Sequence, residues 1–332
     1  MTNAAIQSRP TRRRYSRFDP RVMWPLAAIT LAFLAEVILP GHEKLRNPDY
    51  TEFRWLLGIL AGLFAALAWA SVYLRGLRET LARRGLFIGV LITLLGFVNI
   101  ATAKLLLLPQ IYFPSVSRVL HVYREEYRLL FVDCLGGSFV LLCQGVGTGA
   151  LAGLLMGVLV GWSERWHFWV NPLVRVLGPI PTSTWIPLAL VAFSTPRAAA
   201  VFVIAFGVWF QITVLTASGI QNVKKSYYEV SSTLGASGIQ NLFHIAIPDA
   251  LPSIFLGLFN ATCSSFAALV VAEMLGVKSG VGWYINWQKE MLSYPGVYAG
   301  LIVIAGFCYV FITVQFKLRD RLLRWQKGVI KW

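Results

Sequence analysis

Few side chains in this sequence have the types and spacing that catalysis or metal binding requires. The four histidines lie in loops or interfacial segments, with no partner at the spacing of a metal site or an activated nucleophile: His42, His121, His167 and His244. The four cysteines lie in or beside apolar stretches without a CxxC pair, so we interpret them as small hydrophobes: Cys134, Cys143, Cys263 and Cys308. No G-x-x-x-x-G-K-[ST] sequence is present to cradle ATP phosphates. We therefore expect a non-catalytic chain that binds no metal or cofactor.

Glu273 is the carboxylate of greatest chemical interest, because it ends a long apolar stretch. An ionisable group at membrane depth usually pairs with another group or lines a cavity. One interpretation places Glu273 on a solute path, in a structural or gating role if the solute is an anion. The other places it at the outer membrane interface, capped by Lys278 or by the turn from Gly276 to Gly282. The sequence leaves both interpretations open.

Three prolines interrupt the segment between Leu177 and Pro187. Each proline removes a backbone donor and disfavours helix in the residue before it, so no regular helix is expected there. Irregular backbone at membrane depth is tolerated where it is buried in protein or lines a water-filled cavity. Pro181, Thr182 and Ser183 are therefore candidates for a translocation path. The alternative is a simple helix entry at the membrane surface.

Membrane-spanning helices must position these groups. Of the 332 residues, 57% are hydrophobic and 14% are charged, whereas soluble domains have roughly 45–50% apolar and about 25% charged residues. Several apolar stretches are long enough to cross ~30 Å of hydrocarbon, and a barrel would show alternating ten-residue segments instead. We expect an all-α, polytopic membrane protein with about eight transmembrane helices. The candidate spans are residues 23–40, 55–74, 85–108, 136–161, 181–195, 198–219, 254–276 and 297–316.

The net charge of +15 does not indicate nucleic-acid binding, because the basic residues follow the membrane topology. With the N-terminus inside the cell, 20 Lys and Arg residues fall on the inner side and 9 on the outer side, with Lys104 inside a span. This bias is the positive-inside pattern. It predicts that the N- and C-termini and the loop at 220–253 are cytoplasmic. The basic arms are also expected to contact anionic lipid.

Glycine recurs at every fourth position in the fourth span, from Gly145 through Gly149, Gly153 and Gly157 to Gly161. This spacing keeps the glycines on one helix face, where another backbone can approach closely. The face is expected to pack either within the subunit or against a second copy.

After the third span, Ser115 or Ser117 is expected to cap a short amphipathic helix at the outer surface. Its polar face would carry Arg124, Glu125, Glu126 and Arg128.

A polar, helix-forming loop at 226–252 separates the sixth and seventh spans. Its characteristic residues begin with Glu229, continue with Gly235 six residues later, and end with Ile245, Ile247 and Pro248. We expect a helix from about Ser226 to Leu234, a turn at Gly235 and a second helix that Pro248 ends.

In this order of features the sequence resembles the permease subunit of bacterial ATP-binding-cassette (ABC) importers of the nitrate/sulfonate/taurine type. The resemblance covers about residues 85–332, and its most specific part is the loop pattern Glu-Ala-Ala-x3-Gly-x9-Ile-x-Leu-Pro. Here Val230 and Ser231 replace the two alanines and Ile247 replaces the leucine. The further matching pieces are Phe113-Pro114-Ser115, Gly178-Pro179-Ile180-Pro181, Leu251-Pro252-Ser253-Ile254, Val271-Ala272-Glu273-Met274-Leu275-Gly276 and the basic tail from Arg319 to Trp325.

The resemblance implies a coupling element that sits in a groove on a separate ATPase. The implied coupling residues are Glu229, Ser232, Leu234, Gly235, Ala236, Ile245, Ile247 and Pro248. It also implies ATPase subunits that use the ATP, a second permease copy, and an extracytoplasmic solute-binding protein. The carried solute would be a small organic or inorganic anion such as nitrate, a sulfonate or taurine.

This resemblance divides the chain into three parts. Residues 1–22 form a basic cytoplasmic arm, residues 23–84 hold two additional spans, and residues 85–332 form the permease core. An alternative function is a secondary transporter, or another polytopic membrane protein without an ATPase partner. A secondary transporter would be expected to contain internal repeats and charges at mid-span, and the sequence has no clear repeat. A membrane-embedded enzyme would need a His/Asp/Glu cluster, which the sequence lacks.

Overall fold

The computed structural model describes residues 20–39, 51–178 and 180–326, and these residues form helices joined by short turns, with no strand among them. Most of the predicted basic arm, the C-terminal residues 327–332 and Pro179 lie outside the described residues. The chain divides into two compact units, Met1–Glu125 and Glu126–Trp332, which are described separately below.

Four helices form the N-terminal unit. They are α1 (Pro20–Ile38), α2 (Thr51–Tyr73), α3 (Arg75–Asn99) and α4 (Val116–Glu125), with a π-helical turn at Ile100–Lys104 that continues α3. Apolar side chains of α1, α2 and α3 form its core, including Ile29, Phe53, Leu57 and Ile92. Gly96 faces Ala32, so α1 and α3 approach closely. The predicted cap of α4 is confirmed, because the Ser115 hydroxyl accepts a hydrogen bond from the Arg118 amide at 3.4 Å.

A buried polar cluster joins α1 to the end of α3. The Lys104 ammonium lies 3.6 Å from Glu36 Oε1 and donates to the backbone oxygens of Glu36 and Leu39 at 3.1 and 2.9 Å. Asn99 donates to Glu36 Oε2 at 2.9 Å and accepts from the Val116 amide at 3.1 Å. Because buried charges require such partners, Lys104 in an apolar span is accounted for by pairing within this unit.

The C-terminal unit is built on four long helices. They are α5 (Leu135–Trp162), α8 (Pro196–Gln221), α11 (Ile247–Leu275) and α13 (Tyr294–Leu322). A π-helical turn at Arg128–Cys134 leads into α5, and a 3-10 turn at Arg324–Gln326 follows α13. The shorter elements are α6 (Glu164–Leu177), a 3-10 turn at Thr182–Trp185, α7 (Ile186–Ala192), α9 (Lys225–Thr233), α10 (Gly238–Asn241), a π-helical turn at Leu242–Ala246 and α12 (Val281–Glu290). Buried side chains of α5, α7, α8 and α11 form the main core.

The glycine face of α5 packs within the subunit, against α8. A Cβ built on Gly149 would lie 2.4 Å from the Ala205 carbonyl oxygen, and one on Gly157 would lie 2.6 Å from Thr216 Cβ. Glycine is therefore required for the two backbones to approach. The matched pairs advance in the same direction along both helices, from Gly145 and Ile204 to Gly161 and Ile220, so α5 and α8 are parallel.

Parallel packing means that the chain returns across the bundle between Trp162 and Pro196. The pairs from Gly145 to Gly161 span about 24 Å at 1.5 Å per residue. The return segment consists of α6, the 3-10 turn and α7 instead of one long helix. This explains why the fifth predicted span, 181–195, forms only a seven-residue helix: its prolines prevent a longer one.

Within the described part of the chain, six helices are long and apolar enough to cross a membrane, or seven if Glu164–Leu177 and Thr182–Ala192 count as one broken span. The apolar part of α1, Val22–Ile38, is shorter than these. The polytopic all-α fold is confirmed, and the expected count of eight is approximate.

The expectation that Pro248 ends the second loop helix is wrong. Helical structure runs continuously from Gly238 to Leu275, with Pro248 in the first turn of α11. The turn before it, Leu242–Ala246, is π-helical, and the Ile247 amide donates to the Leu242 carbonyl. A wider π turn relieves the clash that a proline ring makes with the carbonyl four residues earlier. The helix therefore passes through Pro248.

Candidate functional site

The loop between α8 and α11 is a short helix, a tight turn and the start of a long helix. The predicted first helix is confirmed as α9, which is followed by Leu234 and by Gly235 at φ +78°. The Gly235 amide donates to the Ser232 carbonyl at 3.0 Å, and the Ala236 amide donates to the Ser231 carbonyl at 3.1 Å. Only glycine adopts this left-handed conformation at little cost. The sequence-based prediction of a turn at Gly235 is therefore confirmed.

Two polar contacts fix the shape of this loop. Ser237 and Gln240 form a capping box, in which the Ser237 amide donates to Gln240 Oε1 at 2.7 Å. The Ser231 hydroxyl lies 2.6 Å from Asn241 Oδ1, which joins α9 to α10. The two helices are therefore held at a defined angle rather than joined by a free connector.

Large apolar side chains project from this loop without cover. Leu234 is 83% exposed and Ile239 is 72% exposed. The exposed apolar side chains of the loop are Tyr227, Val230, Leu234, Ile239 and Phe243, which we call the loop apolar patch. Exposed apolar patches of this kind mark interaction sites.

The predicted coupling residues fall into two groups. Glu229, Ser232, Leu234 and Gly235 are exposed. Leu234 belongs to the loop apolar patch, and the other three lie close to patch residues along the chain. Ala236, Ile245, Ile247 and Pro248 are partly buried. Sequence reasoning did not select Tyr227, Val230, Ile239 and Phe243. The spacing of Ile239 and Phe243, four apart and just after the Ser237–Gln240 capping box, was the signal that could have identified those two.

The inner side of the loop packs on the helix bundle. Ala246 and Ala250 are fully buried against Ile220, and Tyr228 packs edge-on against Trp162 with ring centroids 6.1 Å apart. Burial, and then the nearby Asp249 carboxylate, raise the pKa of Tyr228. The loop therefore packs directly against the ends of α5, α8 and α11.

Glu273 lies at the opposite end of α11 in a closed hydrogen-bond network. It is 1% exposed. Its Oε1 accepts from the Ser138 hydroxyl at 2.6 Å, and its Oε2 accepts from the Gly282 amide at 2.7 Å. Ser138 in turn accepts from the Val281 amide at 2.9 Å. This carboxylate thus joins α5, α11 and the start of α12, as the turn-capping interpretation requires. Ser138 is 135 residues away in sequence, and nothing in the sequence indicated it.

Pro181, Thr182 and Ser183 lie at the break in the return segment. Thr182 and Ser183 are partly buried in the 3-10 turn, and Pro181 is exposed before it. The methyl group of Thr182 packs over Gly207 of α8, where a Cβ would lie 2.6 Å from it. These residues and Glu273 belong to different parts of the unit, and the described contacts do not bring them into one site.

Three polar side chains that sequence reasoning missed lie midway along the long helices. Gln211 of α8 donates to the Ser264 hydroxyl of α11 at 2.8 Å, and Ser264 donates to the Asn260 carbonyl at 3.1 Å. Ser264 and Asn260 are exposed. Polar groups at this depth are costly next to lipid tails. We call Gln211, Asn260 and Ser264 the mid-span polar face.

A second polar cluster stabilises α12. Tyr284 is fully buried, and its hydroxyl donates to Glu126 Oε2 at 2.6 Å. Gln288 donates to the same carboxylate oxygen at 2.9 Å. Burial raises the pKa of Tyr284, and Glu126 raises it further, so the tyrosine remains the donor. The cluster fixes α12 against the segment that leads into α5.

A parallel helix pair, a broken return span and a loop with a glycine turn and exposed apolar side chains together define a membrane-embedded transport subunit. The model of the family described as "Binding-protein-dependent transport system inner membrane component" matches residues 149–324. The chain belongs to this family, and its class is that of an ABC importer permease.

Curated relatives align with a little over half of this chain and with about two thirds of their own length. The bicarbonate transport system permease protein CmpB of Synechococcus elongatus is 33% identical over 58% of this chain and 68% of its own length. The nitrate import permease protein NrtB of Synechocystis sp. is 31% identical over 58% of this chain and 67% of its own length.

Solved structures share the fold. A chain of the methionine ABC transporter MetNI in an inward-facing conformation matches 60% of this chain and 98% of its own length, with a TM-score of 0.52 and 18% identity. A chain of an amino acid ABC transporter matches with a TM-score of 0.50 and 20% identity, over 61% of this chain and 97% of its own length.

Proposed function

We propose that this chain, with a second permease copy, forms the translocation path of an importer for a small anion, and that separate ATPase subunits drive it through the loop between α8 and α11. The single observation that carries the proposal is the loop apolar patch beside the glycine turn. Each large apolar side chain that a partner fully covers contributes about 1.5–3 kcal/mol. A cytoplasmic loop with five such side chains exposed is therefore suited to a protein groove.

The placement of this loop at the cytoplasmic surface is supported by charge and by helix direction. The positive-inside bias assigns residues 162–180 and 220–253 to the same side. The parallel packing of α5 and α8 independently puts the C-terminal ends of these helices side by side. On this topology both termini are cytoplasmic, the outer loops meet an extracytoplasmic solute-binding protein, and the basic arms contact anionic lipid. ATP is used by the partner subunits.

The mid-span polar face supports a translocation path between two permease copies. Its amide and hydroxyl groups are costly next to lipid tails even where they bond to one another, whereas a water-filled path or a second copy supplies further hydrogen-bond partners. The predicted path residues Pro181, Thr182, Ser183 and Glu273 belong to the same proposal. In it Glu273 has a structural role at the outer end of α11.

An anionic solute is supported by the named solutes of the relatives, bicarbonate and nitrate. The proposed division of the chain places two additional spans in residues 23–84 and the core in residues 85–332. The boundary between the two compact units falls at Glu125–Glu126 in the sequence, and the family match begins at residue 149. Most of α3 lies in the proposed core, yet α3 belongs to the same compact unit as the two additional helices.

Gly235→Asp tests the coupling loop. An aspartate at φ +78° strains the backbone and adds a charge beside the loop apolar patch. We expect normal membrane insertion, loss of ATPase subunits from the purified complex, and loss of ATP-driven nitrate uptake. Gly76→Asp is the matched control, since Gly76 also lies in open space, on the same proposed side of the membrane. Full transport by the Gly235 variant would contradict the docking assignment.

A further inference from the structure

A cavity of about 500 Å³ opens between α5 and the start of α8. Its volume lies within the range of small-molecule sites. Four of its lining residues carry polar side chains and two carry aromatic rings: Gln144, Thr148, Thr195, Arg197, Phe193 and Phe202. Arg197 and Gln221 mark the two ends of α8, about 36 Å apart at 1.5 Å per residue. The cavity therefore lies at the opposite end of the bundle from the coupling loop.

Arg197 is the only charged residue in the lining. Its Nη2 lies 3.4 Å from Gln144 Oε1, which orients the guanidinium towards α5. Among the described residues, no carboxylate oxygen lies within 4.0 Å of a guanidinium nitrogen of Arg197. A guanidinium supplies several donors in one plane, which match the geometry of an oxyanion. The positive charge of this cavity is thus left for a ligand.

The rest of the lining fits a small anion with a compact apolar part. The Thr148 and Gln144 side chains add a hydroxyl and an amide on the α5 side. The rings of Phe193 and Phe202 pack with centroids 4.9 Å apart and form an apolar wall. Such a wall suits the apolar part of a small organic anion such as a sulfonate.

We propose that this cavity is an anion-binding site of the permease itself, in which Arg197 holds the oxyanion group of a small solute at the outer end of the path. The proposal rests on the import function above, because it gives the carried anion a site on this chain. Sulfonate, nitrate and carboxylate groups all fit the chemistry of the lining. The phosphate of a lipid headgroup shares that chemistry, so the experiment separates the two sources.

Calorimetric titration of the purified full-length chain in phosphatidylcholine nanodiscs tests the proposal. The probes are sodium nitrate, sodium methanesulfonate and the neutral isostere methanesulfonamide. We expect saturable binding of the two anions and none of the neutral compound. Arg197→Gln should weaken anion binding about tenfold or more, since a charged hydrogen-bonding partner is lost. Lys289→Gln, which removes an exposed cation outside the cavity, should leave binding unchanged.

A second variant shows whether any loss of binding in Arg197→Gln comes from the cavity or from misfolding. Ala198→Phe fills the cavity from an exposed position and keeps Arg197, so it should also abolish anion binding while thermal unfolding stays normal. Equal anion affinity in the wild type and both cavity variants, or no saturable binding by the wild type, overturns the proposal. Nanodiscs that also contain phosphatidylglycerol should bind nitrate equally well. Weaker binding there assigns the cavity to a lipid headgroup and overturns the solute assignment.

These results are independent of the coupling experiment. Gly235 is at the far end of the bundle, so Gly235→Asp should bind nitrate as the wild type does. Loss of ATPase co-purification with normal anion binding, or the reverse, separates failure of one proposal from failure of the other.

Discussion

Single residues in this protein are explained by the partners that the fold brings to them. Glu273 stands at the end of an apolar stretch, where a carboxylate is costly unless it is hydrogen-bonded. Ser138 and the Gly282 amide provide those bonds, and Gly280 at φ +103° leaves room for the carboxylate, since a Cβ there would collide with it. The residue therefore stabilises the end of the helix bundle that lies opposite the loop between α8 and α11.

Ser138→Ala should destabilise the C-terminal unit by about 1–3 kcal/mol, because it leaves the Glu273 carboxylate and the Val281 amide without their shared partner. Thermal unfolding in detergent measures the change. Ser279→Ala is the matched control, since Ser279 is exposed in the same turn. Equal unfolding temperatures for the two variants would show that the Ser138 hydroxyl bond is dispensable.

His121 links α4 to α2. Its Nδ1 lies 3.0 Å from Glu52 Oε1 and its Nε2 lies 3.0 Å from Glu125 Oε1. The hydrogen bond with Glu52 is the main reason that the pKa of His121 is raised, and Glu125 adds to it. Because the pKa of His121 is raised in the folded state, the stabilisation that protonated His121 gives the fold is fully present below about pH 6.5. It is lost as the pH rises through the raised pKa.

His121→Gln should therefore reduce the pH dependence of the free energy of unfolding above about pH 6.5, the ordinary pKa of histidine. The effect is small, below about 1 kcal/mol, because the His121 side chain is 46% exposed and solvent screens its ion pairs. His244→Gln serves as the control, since His244 lies in the other unit and contacts the Gln240 backbone. The assignment fails if the His121 variant keeps the pH dependence of the wild type.

At the scale of elements, the chain uses glycine and proline to set helix direction and helix breaks. Glycine at every fourth position lets α5 lie backbone to backbone with α8. Prolines around residue 181 break the return segment, whereas Pro248 is absorbed by a π-helical turn. The same residue type thus interrupts one segment and lies within a continuous helix in another.

Gly149→Ala should separate α5 from α8, because the added Cβ would meet Ala205 backbone at 2.4–2.8 Å. Overpacking of this kind costs about 1–3 kcal/mol. Gly147→Ala on the same helix has no atom within 4 Å of the added Cβ, so it should be tolerated. Yield and unfolding temperature of the two variants give the comparison. Equal behaviour would contradict the close α5–α8 packing.

At the scale of the whole molecule, the C-terminal unit presents different chemical groups at the two ends and in the middle of its long helices. The loop apolar patch lies at one end, the mid-span polar face lies at half height, and the Arg197 cavity with the Glu273 network lies at the other end. This order suits a subunit that receives a solute at one surface and is driven from the other.

Ser264→Leu should lower nitrate uptake severalfold while ATPase subunits still co-purify, because it makes part of the proposed path apolar. Thr93→Leu is the matched control: it too removes an exposed hydroxyl that bonds to its own helix, in the N-terminal unit. Unchanged uptake in the Ser264 variant would remove the mid-span polar face from the path.

The sequence by itself determined the all-α membrane class, the glycine stripe, the turn at Gly235 and the family. These features depend on local composition and on spacing within one element, which the chain carries directly. The coupling residues were implied by the resemblance to the family, and they stay a prediction.

Only the tertiary structure decided what the glycine stripe packs against, how Pro248 is accommodated and what surrounds Glu273 and Arg197. Each of these depends on contacts between residues far apart in the chain, such as Gly149 with Ala205 or Ser138 with Glu273. Periodicity within one helix carries no information about the partner that its face will meet. For that physical reason the helices were predictable, and the partners that define the sites were not.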